Sequence, residues 1–274
     1  MLVMEIVILL FSLLFSGKPS EPAPGEWLHL EPGLQLAEFP VHSDLEGSEG
    51  RIVVLSIDPE YFNIGLFSAS ALDKKNRTPR QWSERLHLVA AINAGMYATD
   101  YLTSVGYLKS GEHLNNPHMN SSYNCIFACD PLEEGIPPVQ IIDRECSDFE
   151  EWKDKYRSFV QNIRMISCQG ENVWEQQARR YSIAAAAIDS SGHLLLIHSR
   201  PAYSVHNFIN ILLDLPLNIR NAMYLEGGMD AGLFVGTRGY EREYVGNREN
   251  TFFLNEENAD LRPLPNIIGI RRKN

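Results

Sequence analysis

Twelve short apolar runs, each closed within a few residues by Gly, Asn, Asp or Pro, fill this chain and leave little room for helices. They span 51–57, 63–67, 87–92, 105–108, 125–128, 139–142, 164–168, 183–188, 193–198, 222–225, 232–235 and 267–270. Three segments read as helical. In 79–85, Thr78 is placed as the cap and Pro79 in the first turn. In 148–157, Phe149, Trp152 and Tyr156 share one face at helical spacing. In 205–215, Ser204 is the cap, Phe208, Ile211, Leu212 and Leu215 form a stripe, and Pro216 ends the helix. Strand 193–198, this helix and strand 222–225 then read as a β-α-β unit. The expected fold is α+β, a many-stranded curved mixed sheet with a few packed helices.

The chain begins with an apolar run over residues 6–15, too short to span a bilayer well and suited to a signal-peptide core. Residues 1–17 are accordingly read as a signal peptide or an N-terminal anchor, the second keeping the protein close to a membrane. Residues 18–26 form a Pro-rich linker, and 27–274 a single domain. An exported location follows, periplasmic, secreted or envelope-anchored. A formal net charge of −11, with the basic residues scattered, argues against a nucleic-acid partner. Cys125, Cys129, Cys146 and Cys168 are an even set that an oxidising compartment allows to pair, in a connectivity that spacing does not fix. No second Cys or His pair stands at zinc-ligand spacing, so no metal is expected.

Two strand-tip loops carry the chemistry. The run 90–92 delivers Asn93 to a turn, where Gly95 permits a bend or a close approach and Tyr97 follows. The run 222–225 delivers Glu226, then Gly227 and Gly228, whose backbone amides suit an anion or a hydroxyl-rich ligand, and then Asp230. Two carboxylates on one loop are the tools of glycosyl chemistry. Ser199 and Arg200 emerge from strand 193–198 where a guanidinium can clamp phosphate, and Arg164 leads a further strand. His118 lies in the polar segment 115–122, a loop of binding type, and His206 in the first turn of the third helix. The acids from Asp143 to Glu151 read as a charged helix start. A Gly-x-Ser-x-Gly elbow is missing, which argues against an α/β-hydrolase.

Taken in order, Ile92-Asn93-Ala94-Gly95-Met96-Tyr97, the stretch 188–196 and Tyr224-Leu225-Glu226-Gly227-Gly228-Met229-Asp230-Ala231 resemble the phosphodiester glycosidase family. The resemblance runs from about Arg51 to Val235 and implies an α+β fold, cleavage of a sugar from a phosphodiester, and no nucleotide cofactor. Asn93 and Gly95 match the family's first loop, with Ala94 in place of a glycine, and Gly227 and Gly228 match its second. Glu226 stands where many members have Asp, Asp230 and Ala231 replace a hydroxyl pair, and Ile183 takes a place aligned with an arginine, Arg179 and Arg180 being the nearest substitutes. The expected activity is hydrolysis of a glycosyl phosphodiester or related glycan. Glu226, Asp230 and Asn93 are the expected catalytic residues. Gly95, Tyr97, Arg164, Ser199, Arg200, Gly227 and Gly228 are the expected substrate contacts. The alternative is a glycan-binding protein of the same fold without chemistry.

Overall fold

Every second residue of Phe62–Ser68 is buried, as a strand packed on one face requires, and elements of this kind dominate the protein. The computed structural model describes residues 23, 25–42, 49–247 and 260–273. The run assigned to a signal peptide or anchor lies outside these residues, as does most of the 18–26 linker.

Among the described residues, seventeen strands form three sheets. The largest runs, edge to edge, β1 (Leu28–Glu31), β2 (Leu34–His42), β3 (Glu49–Ile57), β13 (Leu194–Tyr203), β12 (Tyr181–Asp189), β14 (Ile219–Gly227) and β11 (Arg164–Ile166). A second runs β7 (His113–Asn116), β6 (Leu108–Ser110), β10 (Tyr156–Asn162), β8 (Cys125–Pro131) and β9 (Val139–Asp143). The third runs β16 (Tyr240–Val245), β15 (Gly232–Thr237), β5 (Ala90–Asn93), β17 (Asn266–Arg272) and β4 (Phe62–Ser68). The paired strands are antiparallel throughout. With only two α-helices among the described residues, α1 (Pro79–Leu86) and α2 (Val205–Asp214), the protein is mostly β.

Two expectations change here. The mixed sheet is instead three antiparallel ones, because β12 inserts between β13 and β14 and runs against both. The β-α-β unit is therefore split by a strand that precedes it in the chain. The helix expected over 148–157 is a single 3-10 turn, Phe149–Glu151, followed by β10. Its aromatic spacing has another cause. Phe149 meets Phe159 edge to face at 5.2 Å, and Trp152 lies 6.4 Å from Tyr156, so these rings belong to a cluster over the outer face of the second sheet.

The inner faces of all three sheets meet in one core, with Leu55, Ile92, Phe127, Ala186, Leu225 and Ile268 among its members. Helix α2 lays Val205, Phe208, Ile209 and Leu212 over the outer face of the largest sheet, where Ala185 and Ala187 keep the surface low enough for close packing. Helix α1 covers the other face of β5 with the fully buried Trp82. Both helices are capped as the sequence indicates, by Thr78 in a reciprocal capping box and by Ser204. This packing fixes β5 and β14 in different sheets and brings their C-terminal tips together.

Candidate active site

The tips meet through Asn93, which is buried at 1% exposure at the end of β5. Its Nδ2 donates to the Asp230 carbonyl at 2.5 Å, and its Oδ1 accepts from the Gly232 N–H at 2.8 Å. Both ends of the amide are engaged by the second loop, so Asn93, expected as a catalytic residue, positions Asp230.

At the end of β14 the ladder slips, with Glu226 opposite Ala184 but Tyr224 opposite Ala185. Such a bulge leaves one residue unpaired and re-aims its neighbour. The carbonyl of the intervening Leu225 is taken by the Nδ2 of buried Asn162 at 2.9 Å. Gly95 packs against this same Asn162. Its φ of +96° is a left-handed value, and a Cβ there would come within 3.2 Å of the Asn162 amide nitrogen. Gly95 thus joins the two loops through their packing.

Glu226, aimed by the bulge, is half-buried and accepts one hydrogen bond, from the Gly227 N–H at 2.9 Å. Burial strips water from the carboxyl and, helped by the nearby charge of Asp230, pushes its pKa from 4.5 up to about 7, the Gly227 N–H offsetting only part of this. Around it stand phenols. Tyr123, Tyr181 and Tyr224 all feel its charge, and all are held above the ordinary tyrosine value, chiefly by burial. Gly227 fits beneath them because a Cβ would collide with the Tyr224 hydroxyl and the Tyr181 ring. Gly228, at φ +68°, stands in open space.

Tyr97 closes the other side. Burial, then the charges of Asp230 and Glu226, raise its pKa above the usual range, so it stays a hydrogen-bond donor, and Asp230 is its acceptor. Asp230 also holds Arg262, whose Nη1 lies 3.2 Å from its Oδ1. Among the described residues, Arg262 Nη2 meets the thioether of Met229 at 3.4 Å, a weak acceptor. Arg262 is unforeseen by sequence, and it sets a cation beside the acid that replaces one of the family's hydroxyls.

The remaining expected contacts lie elsewhere. Ser199 is fully buried, and its hydroxyl accepts from Ile183 N–H and donates to the Pro201 carbonyl, so it closes the β12–β13 irregularity. The Arg200 carbonyl accepts from Ser182, and the arginine's charge acts on His198. His198 is buried, is held neutral with its pKa down at about 4, and lies 3.3 Å through Nε2 from the Ala231 carbonyl, behind the second loop. Arg164 Nη1 donates to both oxygens of buried Asp143, at 3.0 and 3.2 Å, which corrects the reading of Asp143 as part of a charged helix start. Arg179 replaces them near the site, its guanidinium 6.0 Å from the centre of the Tyr181 ring. His118 is exposed, while His206 Nδ1 donates to the Trp174 carbonyl. Within the polar 115–122 segment, Asn115 and Asn116 are spent on Ser104 and the loop around it.

The cysteines resolve into one disulfide, Cys146–Cys168, and two buried thiols, Cys125 and Cys129. Among the described residues the one grouping with metal-ligand spacing is Asp143 with that disulfide, whose sulfurs carry no thiolate to offer.

A model of the phosphodiester glycosidase family matches residues 87–271. No curated protein matches the chain in sequence. Among solved structures, the zebrafish N-acetylglucosamine-1-phosphodiester alpha-N-acetylglucosaminidase catalytic domain, auto-inhibited by its pro-peptide, superimposes with a TM-score of 0.62 at 15% identity. That match covers 90% of this chain and 86% of the other. A hypothetical protein from Synechocystis gives 0.60 at 13% identity over 92% of this chain and 64% of its own. A Burkholderia pseudomallei protein titled as exported gives 0.52 at 11% identity over 81% of this chain and 74% of its own. These likenesses show a common fold, and no helix among the described residues is long and apolar enough to cross a membrane. With the family match extending from the end of α1 to β17, through both loops, this chain belongs to the phosphodiester glycosidase family.

Proposed function

We propose that the protein hydrolyses a glycosyl phosphodiester, with Glu226 as the proton-transferring group. The observation that carries this reading is the Glu226 carboxyl, half-buried among phenols with its pKa raised to about 7, where a group exchanges protons efficiently at neutral pH. A phosphate monoester leaves as a stable anion and needs little help from an acid. Activating the water is then the harder task. Glu226 takes the proton of a water that attacks the anomeric carbon, the carbon–oxygen bond to phosphorus breaks, and the electron pair leaves with the phosphate.

Arg262 faces the departing charge. Its fork is only half used by Asp230, and a guanidinium matches two phosphate oxygens. Asp230 and Tyr97 hold it in place and present further groups to sugar hydroxyls. Arg262→Gln should raise KM for a glycosyl phosphodiester about tenfold or more while leaving KM for a neutral glycoside of the same sugar within about twofold. Equal losses on both substrates would remove Arg262 from phosphate recognition.

The disulfide supports a working place outside the reducing cytoplasm, in line with the apolar run at 6–15. Assay of the purified chain on N-acetylglucosamine-1-phosphate diesters and on matched alkyl glycosides tests the activity itself. Release of sugar from the diesters is expected, and binding without release from either would favour a glycan-binding protein.

A further inference from the structure

Where β14 bulges, Leu225 stands opposite no residue of β12, and on its other side the pairing with β11 stops at Met223. A buried backbone carbonyl needs a donor, and here the donor is a side chain from another sheet, the Nδ2 of Asn162. Asn162 is the last residue of β10 and is 0% exposed.

The orientation of its amide is fixed, because Oδ1 accepts from the Ile163 N–H at 2.8 Å. A flipped amide would set oxygen against the Leu225 carbonyl and nitrogen against that N–H. Ile163 completes the grip. Its carbonyl accepts from the Tyr224 N–H at 2.9 Å, and the Tyr224 ring packs against Trp174 and Tyr181 with centres 6.0 and 6.4 Å away. The corner between β10 and β11 therefore holds both residues that precede Glu226. The Leu225 carbonyl and the Glu226 nitrogen belong to one planar peptide unit, so fixing the first sets the direction in which the Glu226 side chain leaves the strand. Gly95, after β5, packs on the same amide, and one buried side chain thus joins all three sheets behind the site.

We propose that Asn162 is a positioning residue for Glu226, holding the bulge that turns its carboxyl into the half-buried site. This rests on the reading of Glu226 as the proton-transferring group and adds what aims it. Asn162 has no exposed surface to offer a substrate, so it acts through the Leu225 peptide alone.

The expected signature is in Glu226 itself. With the peptide released, the carboxyl swings toward water and loses the burial that favours its proton. The other titratable groups facing it, Asp230 and the phenols of Tyr97, Tyr123, Tyr181 and Tyr224, with Arg179 and Arg262 acting on those phenols, are removed by no substitution of Asn162.

The test is a pH titration of the full chain by ¹³C NMR of its glutamate carboxyls, the Glu226 signal being the one lost in Glu226→Gln. Asn162→Ala should weaken the proton affinity of Glu226 at least about tenfold. It should also lower kcat on a glycosyl phosphodiester about 10–100-fold, with KM within about threefold. Asn162→Thr decides where the alanine variant fails to fold. It keeps nearly the same volume in a strand, but its hydroxyl stands one bond short of Nδ2, about 4 Å from the Leu225 carbonyl and beyond a hydrogen bond, so the same changes are expected. An unchanged or strengthened proton affinity, or a loss carried by KM with kcat kept, would overturn the assignment. A weakened affinity in a protein that cleaves no phosphodiester keeps Asn162 in this role and refutes the catalytic reading. Cleavage that depends on Glu226 while its titration ignores Asn162 does the reverse.

Discussion

Glu226→Gln should cut turnover of a glycosyl phosphodiester by about 10²–10⁴-fold, the range carried by one positioned acid–base group, and should make the folded chain more stable at pH 8. The sign follows from the proton balance. In the folded state the Glu226 carboxyl holds its proton up to about pH 7, against 4.5 for a free side chain, so the folded state binds more protons between these values. Stability therefore falls as pH rises through that window. The penalty is absent below about 4.5 and fully present above about 7. Half-burial tempers it to about 2 kcal/mol, which a glutamine that still accepts from the Gly227 N–H should recover at pH 8 and not at pH 4. Urea unfolding of both proteins at the two pH values measures it. A variant less stable than the parent at pH 8 would mean that Glu226 is not a strained group.

Asn93→Ala should be costly for the opposite reason. It leaves the Gly232 N–H and the Asp230 carbonyl without their partner inside the protein, and each unsatisfied buried group costs about 1–3 kcal/mol. A loss of about 2–4 kcal/mol is expected by urea unfolding. Because Asn93 fixes Asp230, and through it Arg262 and Tyr97, kcat should fall with the stability. Asn93→Asp should not rescue either quantity. It keeps an acceptor for Gly232 N–H but sets a second oxygen against the Asp230 carbonyl. Near-parent stability in Asn93→Ala would show that the loops are joined by something other than this amide.

The two loops were legible because each combines a short apolar run, a polar residue and glycine, and that local pattern marks a strand tip whatever lies around it. Glu226 and Asp230 were visible on those grounds. Their partners were not. Arg262 sits 32 positions from Asp230 in a Leu-Arg-Pro-Leu-Pro stretch, where only the basic residue between buried Leu261 and Leu264 marks it. Tyr123, Tyr181 and Trp174 look like ordinary core aromatics until three separate segments converge on β14. Ser199 was misplaced because a hydroxyl near a strand end is as useful for closing a bulge as for binding a ligand.

The fold shows the same division. Strands such as β4 and β15 were found, whereas β1, β2 and β16 escaped notice, β16 because its Glu241, Arg242 and Glu243 suit an edge strand that meets solvent. β10 was hidden at its start by an aromatic spacing set by a tertiary cluster. Sheet direction was beyond local pattern altogether, since it depends on β12 entering between β13 and β14.

The most direct test of the central claim is the pH dependence of kcat/KM for cleavage of a glycosyl phosphodiester by the wild-type chain. A catalytic base at Glu226 predicts that the rate rises with pH and levels off with an inflection near 7. A profile flat from about pH 5.5 to 8.5, or one whose inflection survives unchanged in Glu226→Gln, would contradict it.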